Sequence, residues 1–132
     1  MKRNGFSKAW EAMLAKGDSA WGVARNATGR SAAFTTFNSA GTPQDLVGST
    51  IVDDNGWHHI VAVFTGSVKQ LYVDGVLIGS TSYAQTVANN NLNLRMGMNQ
   101  EFVSAFYGGA LDEIRVYGRA LTTAEVTALF TQ

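Results

Sequence analysis

The chain has 132 residues, with ten basic and ten acidic side chains, 14 glycines, one proline and no cysteine. That length suits a single domain with a real core. Balanced charge gives no sequence-independent attraction to nucleic acid or to an anionic membrane, and the lack of cysteine excludes disulfides and thiolate metal sites.

Met1-Lys2-Arg3 is basic, but no apolar run follows it, so no signal peptide is read. No stretch approaches the ~20 apolar residues that a membrane-spanning helix needs. Short alternating runs then follow, divided by Gly, Asn and Asp, as in an all-β sandwich. Strands are expected over residues 10–15, 20–25 and 31–37, then a loop through Gly41, Pro43 and Gly48. Asp53-Asp54-Asn55-Gly56 is a strong turn signal. The strand that begins at Trp57 carries apolar residues on both faces, which predicts a central strand covered on both sides.

Asp74-Gly75 is the best hairpin signal, because a two-residue type I′ turn needs positive φ twice. It predicts Val73 opposite Val76 and Leu71 opposite Ile78. Leu92, Leu94, Met96 and Met98 alternate with Asn93, Arg95 and Gly97, which reads as another strand. In the last long strand Asp112, Ile114 and Val116 share one face. One helix closes the chain. Thr122 is its N-cap, Glu125 completes a capping box, and Leu121 and Val126 form a hydrophobic staple. A helix this short needs docking to persist.

Three segments carry a resemblance. They are Trp57-His58-His59-Ile60-Val61-Ala62-Val63-Phe64, Leu71-Tyr72-Val73-Asp74-Gly75-Val76, and Tyr107-Gly108-Gly109-Ala110-Leu111-Asp112-Glu113-Ile114-Arg115-Val116-Tyr117-Gly118-Arg119-Ala120-Leu121. Together they resemble the laminin-G-like, concanavalin A-like lectin/glucanase family. The resemblance implies an all-β, antiparallel two-sheet jelly-roll sandwich over residues 1–132, with a short C-terminal helix. It also implies that the front of the domain is short by one strand. A missing strand bares an edge, and bare edges pair with other chains. A homo-oligomer, a dimer, is therefore expected, unless Phe6 to Trp10 serves as a shortened first strand and leaves a monomer. Family members are often extracellular, so the compartment is left open.

The fold does not choose a function. Retaining glucanases of this architecture place their carboxyls on one strand in a Glu-x-Asp-x-x-Glu pattern, and the chain has no such run. Asp112 and Glu113 are adjacent and face opposite ways. No catalysis is expected. His58 and His59 also diverge, and the resemblance makes them structural, so no zinc site is expected. Asp112 shares a face with apolar residues, where a carboxylate must be satisfied. Two readings stand: it accepts backbone N–H groups from a neighbouring loop, or it helps to bind a structural Ca²⁺, which related sandwiches carry near the chain ends.

A pyranose ring stacks on an exposed aromatic face, so Trp21, Tyr72, Tyr83, Phe102, Phe106 and Tyr107 are candidates, with Trp10 and Trp57 assigned to the core. The loop that holds Asn99, Gln100, Glu101, Phe102 and Tyr107 mixes amide, acid and aromatic groups as a glycan site does. The reading is a non-catalytic binding module with a glycan ligand at Trp21, Asn99, Gln100, Glu101, Phe102 and Tyr107. The alternative is a protein-interaction or structural module without a glycan ligand.

Overall fold

Alternating burial along short extended segments builds three antiparallel sheets in the computed structural model, which describes residues 1–132. In chain order the strands are β1 (Lys2–Asn4), β2 (Ala12–Ala15), β3 (Trp21–Arg25), β4 (Ala32–Phe37), β5 (Pro43–Val47), β6 (Asp54–Trp57), β7 (Ile60–Phe64), β8 (Val68–Val73), β9 (Val76–Ser82) and β10 (Arg95–Met96). The helix α1 (Thr123–Phe130) follows. Strand order is β10-β2-β3-β4-β5 in the large sheet, β7-β8-β9 in the second, and β1-β6 in a small third.

The core lies between the two larger sheets. Val23, Phe34 and Leu46 are register neighbours on β3, β4 and β5, so they share one face. That face packs on Leu71 and Val73 of β8, with Met13, Ala32, Val52 and Tyr107 around them. Full burial of a side chain such as Leu71 contributes about 1.5–3 kcal/mol. The opposite face of β7 and β8 offers Val63 and Tyr72 to Leu121 and Val126 from the helix end. Thr122 caps that helix with both bonds of the capping box, and Leu121 and Val126 meet as a staple should. The two-sheet sandwich with a terminal helix is the architecture that the sequence implies.

Several local expectations change. Pro43–Val47 is an edge strand rather than loop, which a proline tolerates because an edge leaves its missing N–H unneeded. Of the run from Leu92 to Met98 only Arg95–Met96 pairs, on β2, and Met96 is exposed. Phe6 to Trp10 forms no strand; Lys2–Asn4 does, paired with β6. The Asp74-Gly75 turn has the two positive φ values of type I′, 52° and 77°, and Val73 faces Val76. A bulge beyond Tyr72 then sets Leu71 opposite Gly79 instead of Ile78.

The largest departures concern β7 and the segment after Ala110. β7 is covered on both faces, as expected, yet it lies at the edge of its sheet rather than in the centre. Residues 112–117 form no strand at all, and Ile114, Val116 and Tyr117 are exposed. Their alternation is strand-like, but no neighbour stands beside them to pair.

Candidate functional site

Small side chains on adjacent strands open a groove on the outer face of the large sheet. Ala12 on β2 is paired with Ala24 on β3, Ala15 with Gly22, and Gly22 with Thr35 on β4. These positions turn away from the core, so their lack of bulk leaves a hollow of about 360 Å³. Trp10, Phe37 and Phe102 supply aromatic walls, and Asp18, Thr35, Asp45 and Asn99 supply the polar rim.

Each wall is held by identifiable contacts. Trp10 has φ of 55°, a conformation that costs a bulky L-residue roughly 1–2 kcal/mol. Its neighbour Glu11 is fully buried and accepts hydrogen bonds from the Ser7 and Lys8 amides, at 2.7 and 2.9 Å. This clamp holds the turn in which the strained residue sits. Phe102 rides on a loop tied to β2 by the Ala12 amide, which donates to Ala105. The same loop is tied to the β2–β3 turn by Glu101, which accepts from the Ser19 amide at 2.9 Å and from its hydroxyl at 2.8 Å.

Asn99 is buried, donates to Asp18 and accepts from the Glu101 amide at 3.0 Å. Partial burial pushes the Asp18 carboxyl up; the Asn99 bond opposes that shift and the Glu101 charge adds to it. Asp45 accepts from the Thr35 hydroxyl at 2.6 Å. The groove therefore presents hydrogen-bonding groups held in place beside apolar faces, the combination that orients a polar ligand with carbon-rich surfaces.

Residues 1–127 match the laminin G-type model of the concanavalin A-like lectin/glucanases superfamily. The chain belongs to that superfamily. Among solved structures it is similar to the binding domain of Paraclostridial Mosquitocidal Protein 1, with a TM-score of 0.72 and 21% identity over 90% of this chain and 30% of that one. It is also similar to an S-layer domain-containing protein from Clostridium thermocellum ATCC 27405, with a TM-score of 0.50 and 13% identity over 98% of this chain and 67% of that one. At those identities the likeness is one of fold, and the chain spans 30% of the length of the first. No curated protein matches the chain.

Within this superfamily member, the residues singled out from the sequence part company. Asn99 and Phe102 line the groove. Glu101 ties two loops together, and Gln100 is exposed beside them. Trp21 points the other way, inward, because it alternates with Gly22, and it packs against the core. Tyr107 is 9% exposed and donates its hydroxyl hydrogen to the Lys2 carbonyl at 2.9 Å, so it offers no free ring face. Tyr72 and Tyr83 are buried, whereas Phe106 is exposed. Trp10, assigned to the core, lines the groove instead, and Trp57 is 55% exposed. The sequence signal for the floor was present in Gly22 and Ala24 alternating with Trp21 and Val23.

Asp112 stands exposed, and its carboxylate accepts from the adjacent Glu113 amide at 2.9 Å. The burial argument that singled it out does not apply, since the segment lies open. No three acidic or histidine side chains gather as a metal cluster anywhere in the chain. His58 bridges two carboxylates, Asp74 at 2.8 Å and Asp54 at 3.0 Å, while His59 stacks on Phe130 at 6.1 Å.

Proposed function

We propose that the chain is a non-catalytic carbohydrate-binding module, with the glycan seated in the outer-face groove. One observation carries the reading: Trp10 and Phe102 flank a floor of Ala12, Gly22 and Ala24 beside the Asp18–Asn99 pair. Sugar rings stack their C–H faces on aromatic rings while their hydroxyls bond to carboxylate and amide groups. Membership of a superfamily named for lectins and glucanases supports this ligand class, and the name of the mosquitocidal protein's domain supports a binding role. The reading includes no catalysis, because Asp18 and Asp45 stand on opposite flanks of the sheet rather than as a pair along one strand.

A broad glycan array, run with calcium and again with chelator, tests the proposal. Specific binding that survives chelation and falls about tenfold or more in Phe102→Ala and in Asp18→Asn is the expected result. Binding that neither substitution weakens, or no glycan bound at all, overturns it. A second reading rests on Phe102, Val103 and Phe106, which are 40%, 65% and 52% exposed on one loop. Such a cluster suits a protein partner, and a silent glycan array favours it.

A further inference from the structure

Charge balances over the whole chain, but it is not evenly spread. Of the ten carboxylates, Glu11, Asp53, Asp54, Asp74, Glu113 and Glu125 sit in ion pairs. Asp18, Asp45, Glu101 and Asp112 do not. Asp18 and Asp45 line the outer-face groove, and Glu101 lies against Gly17 at its rim. No Lys, Arg or His side chain lines the groove. Lys16 donates instead to the Asn90 and Leu92 carbonyls, at 3.0 and 2.6 Å. Lys69 lies on the core side of the sheet, bonded to the Phe34 carbonyl and the Thr36 hydroxyl. Arg95 is opposite Ala15 on β10 and shares the outer face, but it stands outside the groove. The hollow is therefore acidic in a neutral chain.

Both lining carboxylates have only neutral partners. Asp45 accepts from the Thr35 hydroxyl at 2.6 Å, and Asp18 accepts from the Asn99 amide. A carboxylate has about four acceptor sites, so each keeps free lone pairs. A separate sign of a ligand comes from Asn99, which is 8% exposed and lines the groove. Its amide nitrogen bears two hydrogens and spends one on Asp18; the other meets no acceptor in the chain. Burial and the Glu101 charge both disfavour ionised Asp18, and a cation seated beside it relieves the second. Ala15, Gly22, Thr35 and Asp45 form one row across the sheet, three strand spacings or about 14 Å long. Asp18, just past Ala15, thus stands too far from Asp45 for one sugar ring to touch both.

We propose that the groove selects oligosaccharides that carry free amino groups, with Asp18 and Asp45 as the residues that set this specificity, and rejects uronic and sulfated chains. The inference rests on the glycan reading and adds the class of glycan. An ammonium donates charge-assisted bonds to a carboxylate, which are stronger than those from a hydroxyl. The faces of Trp10, Phe37 and Phe102 attract the same charge. An acidic sugar in the same place meets like charges with no base to offset them, which excludes it. Asp18 and Asp45 are exposed, so solvent screens each contact and the preference is moderate.

The test is calorimetry of the whole chain at low salt with three probes. Two are β-1,4-linked tetrasaccharides on one backbone, tetraglucosamine and cellotetraose, which differ in an ammonium or a hydroxyl at carbon 2. The third is tetralysine, a cation without sugar rings. Tetraglucosamine is expected to bind at least tenfold more tightly than either of the others, and more weakly in Phe102→Ala. Tenfold corresponds to about 1.4 kcal/mol over the two carboxylates. The ratio of the two sugar affinities should shrink to about threefold or less in the Asp18→Asn, Asp45→Asn double variant. Asp112→Asn removes a carboxylate outside the groove and should leave the ratio unchanged. Cellotetraose bound as tightly as tetraglucosamine, and weakened by Phe102→Ala, overturns this inference and leaves the glycan reading standing. A preference that persists in the double variant, or tetralysine bound as tightly, also overturns it. If no probe binds, this inference falls, and the glycan array separately decides the reading on which it rests.

Discussion

Replacing Glu11 with glutamine tests whether one buried ion pair pins the amino-terminal strand. The Glu11 side chain is 0% exposed and its partner Arg3, at 3.1 Å, is 13% exposed. The carboxylate also accepts from Ser7, Lys8 and Gly108 amides. Burial disfavours its charge, but the Arg3 guanidinium and the Ser7 and Lys8 amides outweigh burial and hold the carboxyl at about 2, against an ordinary 4.5. That difference corresponds to about 3 kcal/mol of stability at neutral pH. Removing one partner of a buried pair costs a similar amount, about 3–5 kcal/mol, because the other charge is left unpaired. Glu11→Gln should therefore lower stability by about 3 kcal/mol and Tm by about 10 °C, read by urea and thermal unfolding at pH 7. A depressed carboxyl stabilises above its unfolded pKa and loses that contribution as pH falls. The gap between parent and variant should thus be full above pH 4.5 and close toward pH 2. A gap under about 1 kcal/mol at pH 7, or one that stays constant down to pH 2, refutes the reasoning.

A Cβ on Gly109 would collide with the Lys2 carbonyl and lie 2.8 Å from the Tyr107 ring, so Gly109→Ala should cost about 1–3 kcal/mol in urea unfolding. Gly118→Ala meets nothing within 4 Å and should leave the midpoint unmoved. The two histidines should separate in an NMR titration. Burial opposes the His58 charge, but the Asp74 and Asp54 carboxylates outweigh burial and raise its pKa, whereas burial lowers that of His59. His58 thus stabilises the fold below 6.5 and loses that contribution as pH rises through its elevated pKa; His59 acts in the opposite sense, and a reversed titration order would contradict both assignments. Lys69 is fully buried against the Phe34 carbonyl and the Thr36 hydroxyl, and burial pushes its ammonium down to about 8, the Asp45 charge only partly opposing. Folding then releases a proton between pH 8 and 10.5, so stability should rise across that window, and Lys69→Met should abolish the rise in urea midpoints at pH 8 and 10.

Local chemistry made part of the molecule legible. The Asp74-Gly75 turn and the capping box at Thr122 depend on residues within a few positions of one another, and both formed as read. The strand from Leu92 to Met98 and the one from Asp112 to Tyr117 have the same alternation, yet pairing requires a neighbour in space, and most of the first run and all of the second have none. Trp10 was misplaced because a positive φ turns its indole out of the core, and nothing in the residue type announces that φ. Trp21 lies away from the groove for the opposite reason: the strand's alternation sends it inward.

The sequence by itself determined the fold class, the hairpin and the terminal helix, since these follow from alternation, turn chemistry and a family pattern. Tertiary structure alone decided the groove. Asp18 and Asn99 are 81 positions apart and meet only because the Asn99 loop folds back along β2. The groove is a consequence of strand order, set by burial summed over the whole sandwich rather than by preferences within any one segment.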